Sequence, residues 1–106
     1  MQLEGKVAIV TGGAVRLGRA LALALAYQGV RLALHYGSSE AQAAETIAQI
    51  EAIGGEAFPI QADLSRLEET RTIVPRAAQR FGQVDILVNS AAIFEPGDLS
   101  HTTEEN

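Results

Sequence analysis

The sequence predicts an α/β fold, a doubly wound parallel sheet of which these residues build one half, with strands in the order 3-2-1-4. Three observations carry that prediction. Short apolar runs rich in β-branched residues recur four times, three helix-forming stretches alternate with them, and a glycine turn follows the first run directly. Strands joined through helices run parallel, and right-handed crossovers then place helices on both faces of the sheet. Strands buried on both sides read as continuous apolar runs rather than as alternating patterns. In this strand order the carboxyl ends of the first and fourth strands lie beside the topological switch point, where ligands bind.

Each element follows from local signals. Lys6–Thr11 (KVAIVT) is the first strand, stopped by Gly12-Gly13. Leu17–Gln28 is rich in alanine and leucine, both strong helix formers, and Gly29 supplies a C-terminal cap. Val30–Tyr36 (VRLALHY) is the second strand. Ser39, with Gln42 three residues on, forms a capping box for a helix that reaches Ile53 and stops at Gly54-Gly55. Ala57–Gln61 is a short third strand. Ser65 and Glu68 make a second capping box, opening a helix with apolar positions Leu67, Ile73, Val74, Ala77, Ala78 and Phe81. Pro75 removes a backbone donor at a cost of about 3 kcal/mol in a helix interior, so a kink or a split is expected before Gly82 closes the element. Val84–Asn89 (VDILVN) is the fourth buried strand.

Composition narrows the function. With 106 residues, 47% of them apolar and 20% charged, the chain is one globular unit, undivided by repeats or linkers. It has no cysteine, which removes disulfides, a thiol nucleophile and cysteine zinc sites and is compatible with a reducing compartment. Eight basic residues against thirteen acidic ones give a net charge of −5, so no broad footprint for nucleic acid is expected and an anionic ligand needs a local site. The longest wholly apolar run, Ala20–Tyr27, falls far short of the ~20 residues that span a bilayer. Nor does the opening MQLEGKVAIVTGG resemble a secretory signal, having a short apolar stretch and no basic segment ahead of it. A cytoplasmic protein without membrane contact is expected. His35 and His101 lack the spacing of metal ligands, and Glu68-Glu69 and Glu104-Glu105 read as helix-start charges rather than as an acid–base pair.

The turn Thr11-Gly12-Gly13-Ala14-Val15-Arg16-Leu17-Gly18 matches neither the G-x-x-x-x-G-K-[ST] nor the G-x-G-x-x-G pattern, so its spelling leaves both a phosphate cradle and a plain tight turn open. Its position favours the cradle. Between a first buried strand and a first helix, a glycine turn lets a pyrophosphate approach the backbone, and the helix start adds unpaired N–H groups and about half a positive charge. Arg16 places a fork of donors there, for a cofactor oxygen or a substrate's acceptor edge, or stands as a solvated arginine at a helix start.

Thr11-Gly12-x-x-x-Arg16-x-Gly18, Asp63-Leu64 after the third strand and Asn89-Ser90-Ala91 after the fourth resemble the short-chain dehydrogenase/reductase family, with its Rossmann-type fold, in order and spacing over essentially the whole chain. That family's turn is T-G-x-x-x-G-x-G, and Arg16 stands here in place of the second glycine. Arg16 together with His35-Tyr36 is similar to the pteridine reductase branch. The resemblance implies that Gly12, Arg16, Leu17 and Gly18 line a dinucleotide and that Asp63 accepts a hydrogen bond from the adenine amino group, with Leu64 beside it. It also implies that Asn89 pairs with backbone across the cleft and that Ala91 leaves room for the nicotinamide ribose. Asp63 can also be read as a turn aspartate before Ser65. The family's N-N-A-G is N-S-A-A here, so Ser90 and Ala92 depart from it. Phe94 matches the position at which pteridine reductases stack an aromatic ring on the pterin, and a lone loop phenylalanine is otherwise a hydrophobic anchor.

Cofactor choice is read at the end of the second strand, where an NAD site usually carries an acidic residue for the ribose 2′-hydroxyl. His35-Tyr36-Gly37-Ser38-Ser39 has none, and its hydroxyls and helix start tolerate a 2′-phosphate, so NADP(H) is expected, with Ser39 also a candidate N-cap. The family's chemistry is hydride transfer to a carbonyl or imine of a small-molecule substrate, here pterin-like by resemblance, with a tyrosine acid and a lysine four residues on. These residues contain no such pair. Lys6 is the only lysine, and neither Tyr27 nor Tyr36 has a lysine at that spacing. No catalytic residue is therefore assigned. The expectation is the N-terminal, cofactor-binding portion of a longer reductase, inactive alone and a homo-oligomer at full length. Thr102–Glu105 reads as the start of another helix, and a fourth strand without its next neighbour would expose apolar surface and invite pairing with another chain. The alternative from another class is a non-catalytic dinucleotide-binding or sensor module. A flavodoxin-like or response-regulator domain would need acceptor carboxylates or a flavin loop where the first strand ends in Thr11-Gly12 instead.

Overall fold

The computed structural model describes residues 2–90. Ala91 and Phe94, expected at the ligand, lie outside the described residues, as do Ala92, His101 and the Thr102–Glu105 segment. Four parallel strands form one sheet in the order β3-β2-β1-β4, as expected. They are β1 (Val7–Thr11), β2 (Arg31–Tyr36), β3 (Ala57–Gln61) and β4 (Ile86–Asn89), connected by α1 (Arg16–Tyr27), α2 (Glu40–Ala52) and the pair α3 (Leu67–Thr70) and α4 (Ile73–Phe81). Register is set by apolar pairs such as Ile9 with Ala33 and with Leu87.

The pleat sorts β1 and β2 into two cores. Ala8, Val10, Leu32 and Leu34 meet α1 and α2, while Val7, Ile9 and Ala33 meet α4 through Ile73, Ala77 and Phe81. All five β1 residues are buried, and each fully buried valine, leucine or isoleucine contributes about 1.5–3 kcal/mol. Small side chains set the approach of α1, which buries Gly18, Ala22 and Ala26 at four-residue intervals. Its end is the expected glycine cap. Gly29 turns left-handed at φ 84, its N–H donates to the Ala26 carbonyl at 3.0 Å, and the Val30 N–H donates to Leu25 at 3.1 Å. That pair of bonds is a Schellman motif, with Val30 packed into the same core as Leu25.

Three expectations are corrected. Neither capping box forms, because no side chain caps α2 or α3. Ser39 does occupy the N-cap position of α2, but the second helix starts two residues later than Ser65. The Ser65 hydroxyl and N–H instead donate to Asp63 Oδ1 at 2.7 and 2.9 Å, a local turn that competes with helix initiation, and Glu68 pairs with Arg66. The split expected around Pro75 is present, but it falls at Arg71-Thr72. Pro75 thereby becomes the third residue of α4, where its missing N–H is one of the helix's unpaired donors. The fourth strand, read as buried, is half-exposed. Ile86 and Val88 face the α1 and α2 core, whereas Leu87 is 62% exposed on the opposite side, since β4 pairs only with β1 among the described residues.

Candidate functional site

The carboxyl ends of β1, β2 and β3 open onto one cavity of about 890 Å³. Its floor is the glycine turn. Leaving β1, the chain bends at Gly12 with φ 63 and enters α1 at Arg16 with φ 54. A left-handed backbone at a residue with a Cβ costs roughly 1–2 kcal/mol, so Arg16 sits under strain where the family pattern has glycine. Gly18, in the first turn of α1, lies hard against the turn. A Cβ there would stand 2.7 Å from both the Gly12 carbonyl carbon and Ser90 Oγ, and would overlap the Gly12 oxygen.

Distant groups hold the turn in this shape. The Gly12 N–H donates to His35 Nδ1 at 3.0 Å, and the Gly13 N–H donates to the His35 carbonyl at 2.9 Å. Thr46, fully buried on α2, donates through Oγ1 to the Ala14 carbonyl at 3.0 Å. Ser90 Oγ donates to the Thr11 carbonyl, while Thr11 Oγ1 donates to Asn89 Oδ1 at 2.8 Å, locking the ends of β1 and β4 together.

The start of α1 is left open. Its N-cap is Val15, which has no side-chain acceptor, and its first turn contains no acidic residue. The N–H groups of Arg16, Leu17 and Gly18 therefore have no partner within the helix, and these residues line the cavity. No acidic residue in that first turn offsets the partial positive charge of the helix start. Arg16 adds an exposed guanidinium that pairs with no carboxylate among the described residues.

From the end of β2, Ser38 and Ser39 reach the rim, and the Ser39 hydroxyl makes no cap bond. From the end of β3 come Asp63 and Leu64. The Ser65 hydroxyl and N–H hold the Asp63 carboxyl below the usual carboxylate range, with the Arg66 guanidinium acting in the same direction. His35 lines the cavity with its ring buried, and Nε2 lies 2.9 Å from the Ala62 carbonyl. Burial holds its imidazole below the usual value, and the Arg76 guanidinium acts likewise, against the Ala62 carbonyl, which favours the charged form.

The structure thus brings together Gly12, Arg16, Leu17, Gly18, His35, Ser38, Ser39, Asp63 and Leu64. It does not bring Tyr36 or Asn89 to this cavity. Strand alternation turns Tyr36 to the opposite face, packed against the α1 and α2 core. Asn89 lines a smaller cavity of about 210 Å³ with Leu87 and Val74. Two residues that shape the site were missed from sequence. Thr46 gave one signal, a hydroxyl in the buried stripe Ala43, Thr46, Ile50 of an otherwise apolar helix face. Ser90 gave none.

A parallel sheet in this strand order, whose glycine turn feeds an uncapped helix at the switch point, is the Rossmann-type arrangement. The family profile described as "short chain dehydrogenase" matches residues 6–106, and the chain belongs to that family. An uncharacterized oxidoreductase of Methylorubrum extorquens is 42% identical over 105 residues, 99% of this chain and 42% of the relative. The short-chain dehydrogenase/reductase homolog YusS of Bacillus subtilis is 38% identical over 108 residues, covering 99% of both chains. Among solved structures, a short chain dehydrogenase from Burkholderia cenocepacia in complex with NADP superposes with a TM-score of 0.84 at 44% identity, over 90% of this chain and 39% of that one. The chain spans about two fifths of the Methylorubrum and Burkholderia proteins and nearly all of YusS.

Proposed function

We propose that this chain is the NADP(H)-binding portion of a short-chain oxidoreductase. The observation that carries this is the uncapped start of α1 opening onto the cavity beside the glycine turn. Amides without partners within the helix, a first turn with no acidic residue and a glycine whose Cβ would overlap the turn together suit a diphosphate. The residues fit the group. The amides of Arg16, Leu17 and Gly18 would hold the diphosphate, with the Arg16 guanidinium beside them. Ser38 and Ser39, with no carboxylate among Gly37, Ser38 and Ser39, would admit a 2′-phosphate, and Asp63 with Leu64 would meet the adenine. The tether to Thr11 gives Asn89 the role of setting the β1–β4 gap. When bound, NADP(H) supplies hydride for reduction of a carbonyl or imine.

The remainder of the reading is finer. Arg16 and His35-Tyr36 support a place near the pteridine reductase-like branch, with a pterin-like substrate contacted by Arg16 and Phe94 and with Ala91 at the nicotinamide ribose. These 106 residues contain no Tyr-x-x-x-Lys pair, so on this reading they bind cofactor without turnover. Among the described residues no helix is long and apolar enough to cross a membrane, and the absence of cysteine suits a cytoplasmic setting. The longer enzyme would be a homo-oligomer. Titrating the chain with NADPH and NADH by calorimetry tests the core of this reading. NADPH is expected to bind more tightly, and a preference for NADH would overturn the cofactor assignment.

A further inference from the structure

His35 is the only ionisable side chain buried among the described residues, and both of its ring nitrogens face backbone. Gly12 brings an N–H to Nδ1, so Nδ1 must present its lone pair. The ring proton then sits on Nε2 and points to the Ala62 carbonyl. A second proton on Nδ1 would set one donor against another at 3.0 Å and break the clasp. Gly18 packs against the carbonyl of the same residue, Gly12, so releasing the Gly12 N–H disturbs both the turn and the α1 amides that follow.

We propose that neutral His35, protonated on Nε2, is a positioning residue for the cofactor site: it holds the Gly12 amide, and its protonation loosens the turn and weakens dinucleotide binding in acid. This rests on the reading that the turn holds a dinucleotide. Charged groups around the ring are few. Arg76 faces it from α4, with its guanidinium donating to the Gln61 carbonyl at 2.9 Å, and opposes protonation. From Thr11 to Val15 the β1 end and the turn bring no charged residue, the exposed Arg16 that follows lines the same cavity as His35, and β3 brings none up to Ala62. Asp63 follows Ala62, but it is exposed and its carboxylate accepts from Ser65. The change therefore falls below the ordinary histidine value of 6.5.

Two substitutions separate the two ring contacts. The amide of His35→Asn falls near Nδ1 and keeps an acceptor for Gly12, whereas that of His35→Gln reaches towards Ala62 and leaves Gly12 without one. Binding of NADP+ to the 106-residue chain is measured at about pH 8 and about pH 5, spanning the histidine range. At the higher pH the Asn variant is expected within about threefold of the wild type and the Gln variant about tenfold weaker. On acidification the wild type should lose about tenfold more affinity than the Asn variant, which shares the titration of the ligand's own phosphate. Nitrogen-15 spectroscopy of the wild-type imidazole should find Nδ1 unprotonated, with the Gly12 amide resonance moving at the same midpoint as the ring. A proton on Nδ1, a Gly12 amide that ignores the ring's titration, equal losses in the two variants, or equal acid sensitivity in wild type and Asn variant each overturns the proposal. The spectroscopic arms decide it even where neither variant folds. Absence of NADP+ binding at the higher pH, with Nδ1 still accepting, would instead fell the dinucleotide reading and take the proposal with it.

Discussion

Gly18→Ala puts the turn under a load that its geometry can be used to size. The added methyl would lie 2.7 Å from the Gly12 carbonyl carbon and from Ser90 Oγ and nearer still to the Gly12 oxygen, all inside contact distance. Relief needs a movement approaching an ångström from backbone rather than from a flexible side chain. The turn cannot yield freely, since His35, Thr46 and Ser90 each bind one of its peptides. Overpacking of this kind costs about 1–3 kcal/mol, partly offset by up to about 1 kcal/mol from replacing glycine with alanine in a helix. A net loss of about 1–2 kcal/mol lowers Tm by roughly 4–16 °C in a domain of this size. Thermal unfolding followed by circular dichroism reads the stability, and NADPH titration reads the turn. Affinity should fall more than tenfold, because a misplaced turn also misdirects the α1 amides. An alanine variant with unchanged Tm and unchanged NADPH affinity would refute the claim that close approach at Gly18 shapes the site.

Arg16→Gly should move two readouts in opposite directions: relief of the backbone at φ 54 stabilises the fold by about 1 kcal/mol in urea unfolding, while loss of the guanidinium weakens NADPH binding. Unchanged affinity would remove Arg16 from the ligand. Thr46→Val keeps the side-chain shape but leaves the Ala14 carbonyl without its donor, so a loss of about 1–3 kcal/mol is expected by chemical denaturation. Acid should destabilise the chain in two stages. His35, with its value lowered in the fold, contributes stability that is complete above 6.5 and declines as pH falls below it. Asp63 and Asp85 also have lowered values, the latter because the Val7 N–H and the Gln83 amide donate to it, so their contribution is lost as pH falls below 3.8. A Tm independent of pH between about 7 and 3 would contradict both assignments.

The order of elements and the sheet topology were legible because each rests on short-range signals: β-branched runs, alanine-rich helices and glycines after them. Asp63, Ser38 and the turn were placed at the cavity for the same reason, since each closely follows a strand end. What failed depended on competition or on distance. Ser65 and Glu68 spell a capping box, but Asp63, two residues before Ser65, captures the hydroxyl first. Nothing local shows that Thr46 reaches a carbonyl 32 residues away, or that Ser90 closes on Thr11 across 79. Tyr36 was expected at the ligand from the likeness of His35-Tyr36 to the pteridine reductase branch and from its hydroxyl at the strand end, yet adjacent residues of a strand point to opposite faces.

The tethers of the glycine turn carry a consequence for how the chain matures. Thr11 to Ala14 depend on partners supplied by β2, α2 and the end of β4, up to 79 positions downstream. Loop-closure entropy has to be overcome before those contacts reward it, which makes the turn a late product of folding. Pulse-labelled hydrogen exchange should find the Gly12 and Gly13 amides, which His35 holds, protected once β2 docks, and the Ser90 amide, which donates to Thr11 Oγ1, protected only when β4 docks. A chain emerging from the ribosome would display its nucleotide-binding sequence early and acquire a working grip only after its ninetieth residue is in place.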